Sequence, residues 1–296
     1  MLEAFNLTHA KSIDDAIDLK NKLGEDATYY AGGTELLQVL KEGMLSYNHL
    51  INLKSIPEMA QIELDKENGV LRIGALVTHD EIASSEVVRN YQPALAKLED
   101  YIGNIRIRKS GTIGGNLAFA EPRSDPGAYL VAAEGIVCTI SPSNSRKIPM
   151  TEFWQGPFET ALEEDEIITA IEVPIVEKLM GTNYRKFTIG EYPMVGVAVV
   201  LKVDDKKEKI VDSRLVISAA NPIPTRLISA EELLHGETID SILNKDIKWW
   251  ITAIEPVMDA VDDIEGSAEY KIHVAGSLLF DAVSDVIGEL KGVEVK

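Results

Sequence analysis

The sequence predicts a protein of mixed helices and strands in two domains, residues 1–176 and 177–296. Three observations lead to this prediction. The chain has 296 residues, which is enough for two domains of ordinary size. Helical and strand-like patterns alternate along its first part. After about residue 177 the pattern changes to a pair of strands joined by a charged turn, followed by segments with a helical period only.

In the first part, segments with helical periodicity and segments with strand-like periodicity are bounded by residues typical of helix ends and turns. Helices are expected in SIDDAIDLKNKLG, TELLQVLKEG, THDEIASSEVVRN and PALAKLEDYIG, and strands in ATYYAGG, HLINL and VLRIGAL. TELLQVLKEG has Thr34 as the expected N-cap and Lys41 and Gly43 at its end. THDEIASSEVVRN is expected to begin as one capped helix near Thr78. The segment AYLVAAEGIVCTIS predicts a helix followed by a strand.

The second part begins where VPIVEKLMGTN shows no clear period. Two strand-like runs follow, MVGVAVVLKV and IVDSRLVISA, and the charged segment DDKKEK between them predicts a hairpin. The remaining pattern is helical in RLISAEELLHG, IKWWITAIEPVMDAV and YKIHVAGSLLFDAVSDVIGELKG. The sequence therefore predicts a sheet covered by helices in this part.

Composition excludes several classes of function. A net charge of −19 opposes nucleic-acid binding, because phosphate contacts need clustered lysine and arginine. No apolar run is long enough to span a membrane and no signal-peptide pattern is present, so we expect a cytoplasmic location. The only cysteine, Cys138, can form no intrachain disulfide and cannot by itself hold an iron–sulfur cluster. The five histidines are scattered, and no metal site is expected.

The first of two glycine motifs, YYAGGTELL, joins an expected strand to an expected helix at residues 29–37. Amides at a helix start are unpaired and carry partial positive charge, which favours a phosphate ligand. Gly32 and Gly33 allow the backbone to approach such a ligand closely. The same motif also fits a tight turn without a ligand.

The second motif, GTIGGNLAFAEPRSDP, covers residues 111–126 and follows the basic segment IRIRK. Its successive amides can form a concave nest for an anion. Asn116 can donate its side-chain amide, and Asp125 can accept from a sugar hydroxyl. The alternative interpretation of this motif is a glycine turn without a ligand. The basic segment is either a solvated turn or a contact with an anion or a partner protein. Two such motifs together favour a pyrophosphate, which needs donors on both sides, and Gly114→Val is expected to abolish its binding while sparing most of the fold.

Several common catalytic and nucleotide-binding motifs do not occur in the sequence. It contains no P-loop, no G-x-G-x-x-G after the first strand, no G-x-S-x-G elbow and no H-E-x-x-H. The residues alone therefore predict a protein with a phosphate-bearing cofactor and no visible acid–base machinery.

The two motifs, in this order and at this separation, resemble the two FAD loops of the medium subunits of molybdenum hydroxylases. This family includes aerobic carbon monoxide dehydrogenase, xanthine dehydrogenase and nicotinate dehydrogenase, and LRIGALVTHDEI, EIITAIEVP and YRKFTIGEYPMVGVAVVL extend the resemblance over nearly the whole chain. It implies an α+β fold with a two-lobed PCMH-type, vanillyl-alcohol-oxidase-like FAD-binding domain at 1–176, with lobes of about 1–55 and 56–176. A small domain of antiparallel sheet and helices, like the C-terminal domain of carbon monoxide dehydrogenase flavoproteins, is implied for 177–296.

The resemblance also implies noncovalent FAD and a set of residues that bind it. In both loops these are Tyr29, Tyr30, Ala31, Gly32, Gly33, Thr34, Glu35, Leu36, Gly111, Thr112, Ile113, Gly114, Gly115 and Asn116. Asp125 matches a residue that contacts the sugar or ribityl hydroxyls of the cofactor. Tyr101 matches an aromatic residue that flanks the cofactor, if the alignment to the family contains a gap of one residue. Ile168 and Lys186 match residues near the flavin ring and the flavin end. Tyr192 matches a position where some members stack an aromatic ring, and an ordinary strand residue is the alternative.

The function implied by the resemblance is electron relay. A molybdopterin-binding large subunit oxidises a substrate, a [2Fe–2S] small subunit passes on the electrons, and FAD delivers them to NAD(P)⁺ or another acceptor. The bound flavin performs the chemistry, so no residue of this chain is expected to be catalytic. Overall resemblance suggests an N-heteroaromatic substrate such as nicotinate. The alternatives are a stand-alone FAD oxidase of the vanillyl-alcohol type and a non-enzymatic nucleotide-binding module.

Overall fold

The computed structural model describes residues 2–190 and 192–292, and the chain begins with a small parallel sheet. The strands of this sheet have the spatial order β1-β3-β2, and both pairs are parallel. Its elements are β1 (Asn6–His9), α1 (Ile13–Leu23), β2 (Ala27–Tyr30), α2 (Leu36–Glu42) and β3 (His49–Asn52). The predicted helix α1 is confirmed, with Ser12 as its N-cap and Gly24 at its end.

A five-stranded antiparallel sheet follows, with the order β4-β5-β10-β6-β7. Its strands are β4 (Ile62–Asp65), β5 (Val70–Gly74), β6 (Ile136–Ile140), β7 (Ser145–Pro149) and β10 (Ile167–Pro174). The helices between β5 and β6 are α3 (His79–Ser84), α4 (Glu86–Tyr91), α5 (Pro93–Asp100), α6 (Ile105–Ser110), α7 (Ile113–Phe119) and α8 (Asp125–Ala132). Between β7 and β10 lie α9 (Met150–Phe153), β8 (Trp154–Gly156) and β9 (Glu159–Thr160).

The last part of the chain is a four-stranded antiparallel sheet with helices packed on it. Its strands have the order β11-β12-β13-β14 and are β11 (Met180–Ile189), β12 (Tyr192–Val203), β13 (Ile210–Ser218) and β14 (Thr225–Arg226). The helices are α10 (Ile228–Leu234), α11 (Ile239–Leu243), α12 (Ile247–Ile254) and α13 (Ala268–Lys291). The predicted hairpin β12–β13 is confirmed, but β11 was not predicted, because its polar residues obscure any period and pairing with β12 stabilises it.

Three helix predictions need correction. Thr34 is not an N-cap, because α2 begins at Leu36 and has no side-chain cap. The segment after Thr78 forms two helices, since Ser85 has an extended backbone between α3 and α4 and its hydroxyl caps α4. The helix α12 ends at Ile254, two residues before a proline, and so does not extend through IEPVMDAV.

Helix α8 lies at the centre of the molecule. All eight of its residues are buried, and it packs against the helices α5, α7 and α9 as well as against the strands β12 and β13. One apolar core surrounds it, and a second fills the space between the C-terminal sheet and its helices. The N-terminal residue of α8, Asp125, therefore sits where the two parts of the chain meet.

No helix between residues 2 and 292, with residue 191 left out, is both long and apolar enough to cross a membrane. Within the same part of the chain, no group of three or more His, Cys, Asp or Glu side chains could hold a metal ion.

Candidate cofactor-binding site

The first glycine motif forms an open loop between β2 and α2. Gly33 has a φ of +75°, and a Cβ there would lie 2.3 Å from a ring carbon of Tyr30, so this turn requires glycine. The backbone amides of residues 31–36 have no hydrogen-bond acceptor among the described residues. Consecutive unpaired amides carry partial positive charge and bind phosphate groups well. The first motif therefore offers a row of donors to an anion.

The second glycine motif begins the helix α7, and its first amides are already paired. The amides of Ile113 and Gly114 donate to the carbonyls of Val77 and Ala75, at 3.0 and 2.9 Å. The amide of Gly115 donates to the hydroxyl of the N-cap threonine at 3.2 Å. Protein acceptors therefore satisfy these three donors in this structure, and the anion-binding nest at the second motif stays a prediction.

Gly114 also packs directly against the end of β5. A Cβ on Gly114 would lie 2.5 Å from the Cβ of Ala75, which is closer than real Cβ contacts allow. Valine at this position would therefore disturb the packing of α7 itself. This packing instead leads us to expect that Gly114→Val destabilises the fold.

The two motifs touch each other. A Cβ on Gly32 would lie 2.4 Å from the carbonyl oxygen of Ser110 and 2.7 Å from the Cα of Gly111. The hydroxyl of Ser110 also donates to the carbonyl of Gly32 at 3.3 Å. This contact closes one side of a cleft that runs between the parallel sheet and the five-stranded sheet.

Most of the residues predicted to bind FAD line this cleft. They are Tyr29, Ala31, Gly32, Gly33, Thr34, Glu35, Leu36, Thr112, Gly114, Gly115, Asn116 and Ile168. Asn116 accepts a hydrogen bond from Ser124 at 2.5 Å through Oδ1, and its Nδ2 has no acceptor among the described residues. Ile168 is buried in β10 and contributes an apolar wall with Leu76 and Phe119.

Three predicted residues lie together at one place outside the cleft lining. Asp125 accepts from the ammonium of Lys186 and from the hydroxyl of Tyr184, each at 2.5 Å. Lys186 also donates to the carbonyl of Tyr101 at 3.1 Å. Burial and the neighbouring Asp125 carboxylate raise the pKa of Tyr184 well above its usual value, so its hydroxyl remains a donor. We call Asp125, Tyr184, Lys186 and Tyr101 the junction group.

Tyr184 was missed in the sequence, although a signal for it exists. It lies two residues before Lys186 in β11, and alternate residues of a strand face the same side. Any partner of Lys186 on this strand is therefore expected at residue 184 or 188. The junction group borders the cleft through Ser124, which precedes Asp125 and donates to Asn116.

The remaining predicted residues lie around the cleft. The ammonium of Lys54 lies over the ring of Tyr30. Gly111 and Ile113 are not part of the cleft lining, and Ile113 belongs to the core. The guanidinium of Arg123 lies 4.1 Å from the ring centroid of Tyr192, so a cation covers one face of this ring.

Two carboxylates and a phenol face the cleft. Burial and the nearby Glu121 raise the pKa of Glu35 above its usual value. For Glu166, burial acts to raise the pKa, but hydrogen bonds led by that from Arg146 outweigh it and lower the pKa. The buried hydroxyl of Tyr29 has no hydrogen-bond partner among the described residues, and burial raises its pKa. The phenol therefore stays neutral and can donate into the cleft.

Two family models match this chain. Residues 3–176 match the FAD binding domain in molybdopterin dehydrogenase. Residues 184–286 match the carbon monoxide dehydrogenase flavoprotein C-terminal domain. Together they account for both sheets that border the junction group and for both glycine motifs.

Known proteins similar to this chain match it over nearly their whole length. It is 30% identical over 277 residues to the medium chain of carbon monoxide dehydrogenase from Hydrogenophaga pseudoflava, covering 93% of this chain and 94% of that protein. It is 31% identical over 280 residues to the medium subunit of nicotine 6-hydroxylase from Paenarthrobacter nicotinovorans, covering 94% and 95%. A crystal structure of a Cu,Mo-containing carbon monoxide dehydrogenase in its cyanide-inactivated form aligns with a TM-score of 0.90 at 28% identity, covering 97% and 99% of the chains.

Proposed function

We propose an electron-relay function for this chain, which belongs to the family of FAD-binding medium subunits of molybdenum hydroxylases. The chain carries an FAD-binding domain and is an oxidoreductase component. The resemblance inferred from the two glycine motifs and the α+β fold class are thereby confirmed. The domain boundaries that we propose remain 1–176 and 177–296.

The observation that carries the proposal is the row of unpaired amides in the first glycine motif. A pyrophosphate needs several donors, and the amides of residues 31–36 have no acceptor among the described residues. The same cleft has an apolar wall that includes Ile168, which suits a flat ring system. These features fit FAD, which supplies one-electron and two-electron redox chemistry when it is bound.

We assign distinct roles to the residues of the cleft. The amides of the first loop would hold the pyrophosphate, and Asn116 would donate through Nδ2. The apolar side chain of Ile168 would lie against the ring system and exclude water from it. The junction group holds α8 against β11, so that Asp125 and Lys186 fix the end of the cleft at which Asn116 lies. No cysteine or histidine is assigned as a covalent tether, and we propose noncovalent binding.

In the proposed complex, other subunits supply the molybdenum cofactor and the iron–sulfur clusters. Its partners would be a molybdopterin-binding large subunit and a [2Fe–2S] small subunit, with NAD(P)⁺ or another compound as the final acceptor. The two similar proteins named above are a medium chain and a medium subunit, which supports such an assembly. The only cysteine of this chain, Cys138, is buried, so any cluster needs another chain. This single cysteine also supports the cytoplasmic location that we propose.

An N-heteroaromatic such as nicotinate remains our proposed substrate for the partner. The similar proteins act, by their names, on carbon monoxide and on nicotine, at 30% and 31% identity. Overall identity therefore does not distinguish between substrates. Purification of the native complex, with mass spectrometry of its subunits and a screen of heteroaromatic compounds, tests this part.

The test of the relay function uses the full chain reconstituted with FAD. We expect one FAD per chain, released completely by acid precipitation, and reduction of the bound flavin by NADH or by a dye. We expect no oxidation of aromatic heterocycles, aldehydes or alcohols by the chain alone. Robust turnover without a partner would contradict the relay function and favour a stand-alone oxidase, and failure to bind FAD would contradict the assignment of the cleft.

A further inference from the structure

A buried histidine–glutamate pair lies beneath the cleft and has no role in the function proposed above. His79 is the first residue of α3 and is 3% exposed, and Glu99 in α5 is fully buried. Nδ1 of His79 lies 2.5 Å from Oε2 of Glu99. The backbone amide of His79 donates to the carbonyl of Gly111 at 3.1 Å. Glu99 therefore holds the imidazole through Nδ1, and Gly111 holds the backbone of His79.

The other ring nitrogen of His79 faces the point where the two glycine motifs meet. His79 lines the cleft, and its Nε2 has no hydrogen-bond partner among the described residues. A Cβ on Gly111 would lie 3.0 Å from Cδ2 and 3.2 Å from Nε2 of this ring. Gly111 itself touches Gly32 in the first motif. Nε2 is thus close to the row of unpaired amides.

The charged side chains that line the cleft are acidic, and His79 is the exception. The lining within the described residues includes Glu35 and Glu166 but no lysine or arginine, and His79 is its one possible cation. Because Glu99 occupies Nδ1 of His79, Nε2 is the ring nitrogen left for a ligand, and an Nε2–H group can donate a hydrogen bond. Such a bond to a phosphate oxygen is charge-assisted, since the acceptor is ionised.

We propose that His79, oriented by Glu99, donates a charge-assisted hydrogen bond from Nε2 to the diphosphate of the bound cofactor. This inference rests on the assignment of the cleft as the FAD site. The pair would compensate for the absence of basic side chains in the lining of a strongly acidic protein. Glu99 acts only as a positioning residue, because it lies behind the imidazole.

The test compares His79→Gln, Glu99→Gln and the double variant, which has no buried charge left unpaired. His273→Gln, at an exposed position in α13, is the matched control. Dissociation constants for FAD, ADP and riboflavin are measured by fluorescence and competition, and circular dichroism reports folding. We expect His79→Gln and the double variant to bind FAD and ADP at least about tenfold more weakly, since a hydrogen bond to a charged group is lost. Riboflavin, which has no phosphate, should bind as to the wild type.

The possible outcomes are distinct. If the folded double variant binds FAD and ADP as tightly as the wild type does, this inference alone is overturned. If the wild type binds no FAD, the assignment of the cleft as the FAD site is overturned. A loss for FAD without a loss for ADP would place the donor away from the diphosphate and also overturn the inference. If the variants do not fold, ¹⁵N-histidine NMR of the wild type decides: bound ADP should shift the side-chain signals of one of the five histidines. The absence of such a shift would contradict the proposal.

Discussion

The two glycine motifs have similar compositions but use their glycines differently. In the first, the backbone turns through a left-handed residue at Gly33, and the amides of residues 31–36 have no acceptor in the described part of the chain. In the second, Gly114 lets a helix approach the sheet at Ala75, and the first amides of that helix donate to protein acceptors. Glycine in a motif thus indicates that something approaches the backbone closely. Whether a ligand or another part of the chain makes this approach is a separate question.

The largest effect should come from the motif that packs. Gly114→Val would force a branched side chain against Ala75, and overpacking of this kind costs about 3 kcal/mol of folding free energy. Urea denaturation of the apoprotein measures it. The matched control is Gly156→Val, where a Cβ would meet only the side chain of Glu159, with its carboxylate at 3.3 Å and its Cβ at 3.7 Å. A Gly114→Val protein of normal stability that had merely lost FAD would show that the second motif also serves the ligand.

The carboxylate of the second motif should give the next largest effect. Asp125→Asn removes the anion that holds both Lys186 and Tyr184, and hydrogen bonds to charged groups contribute about 2 kcal/mol. The free energy of unfolding should fall by about that amount, as measured by urea denaturation. Asp212→Asn is the control, because this half-exposed carboxylate lies 3.8 Å from its arginine. Unchanged stability in Asp125→Asn would mean that the junction group does not hold the two parts of the chain together.

The first motif should respond mainly in ligand binding. Gly33→Ala puts a Cβ 2.3 Å from the Tyr30 ring at a φ of +75°, so the loop must shift and misalign its amides. We expect about tenfold weaker FAD binding with a stability loss of only about 1–2 kcal/mol, the usual cost of a left-handed alanine. Gly43→Ala has the same conformational cost, at a φ of +74°, but meets no atom within 4 Å. Equal FAD affinities in the two variants would contradict the role of the first loop.

The smallest expected effect concerns Glu35 in the same loop. Its raised pKa means that ionisation is less favourable in the folded protein, so Glu35→Gln should be slightly more stable than the wild type at pH 7. This difference should be well under about 1 kcal/mol, because solvent screens a half-buried group. It should disappear below pH 4.5, the usual pKa of the carboxyl, where the wild type is protonated in both states. Paired urea titrations at pH 7 and pH 4 measure it, and a larger difference at pH 4 would contradict the assigned direction.

Much of the local structure could be predicted because its signals are short in sequence. Thr78 and Glu81 form the capping box that starts α3, and Gly24 and Gly43 end the two helices where they were expected. The hairpin β12–β13 follows from two apolar runs around a charged turn. Predictions failed where a distant partner decided the structure, as for β11, which depends on pairing with β12.

By itself, the sequence determined the order and separation of the glycine motifs, the acidic charge and the lone Cys138, and these suffice to identify the family. Only the tertiary structure decided which amides are free. Carbonyls at residues 75 and 77 reach the second motif, whereas no described carbonyl reaches the amides of residues 31–36 in the first. It also brought Asp125 to Lys186 across 61 positions and His79 to Glu99 across 20. The physical reason is that a hydrogen-bonding group is satisfied by its neighbours in space, and the sequence lists only neighbours along the chain.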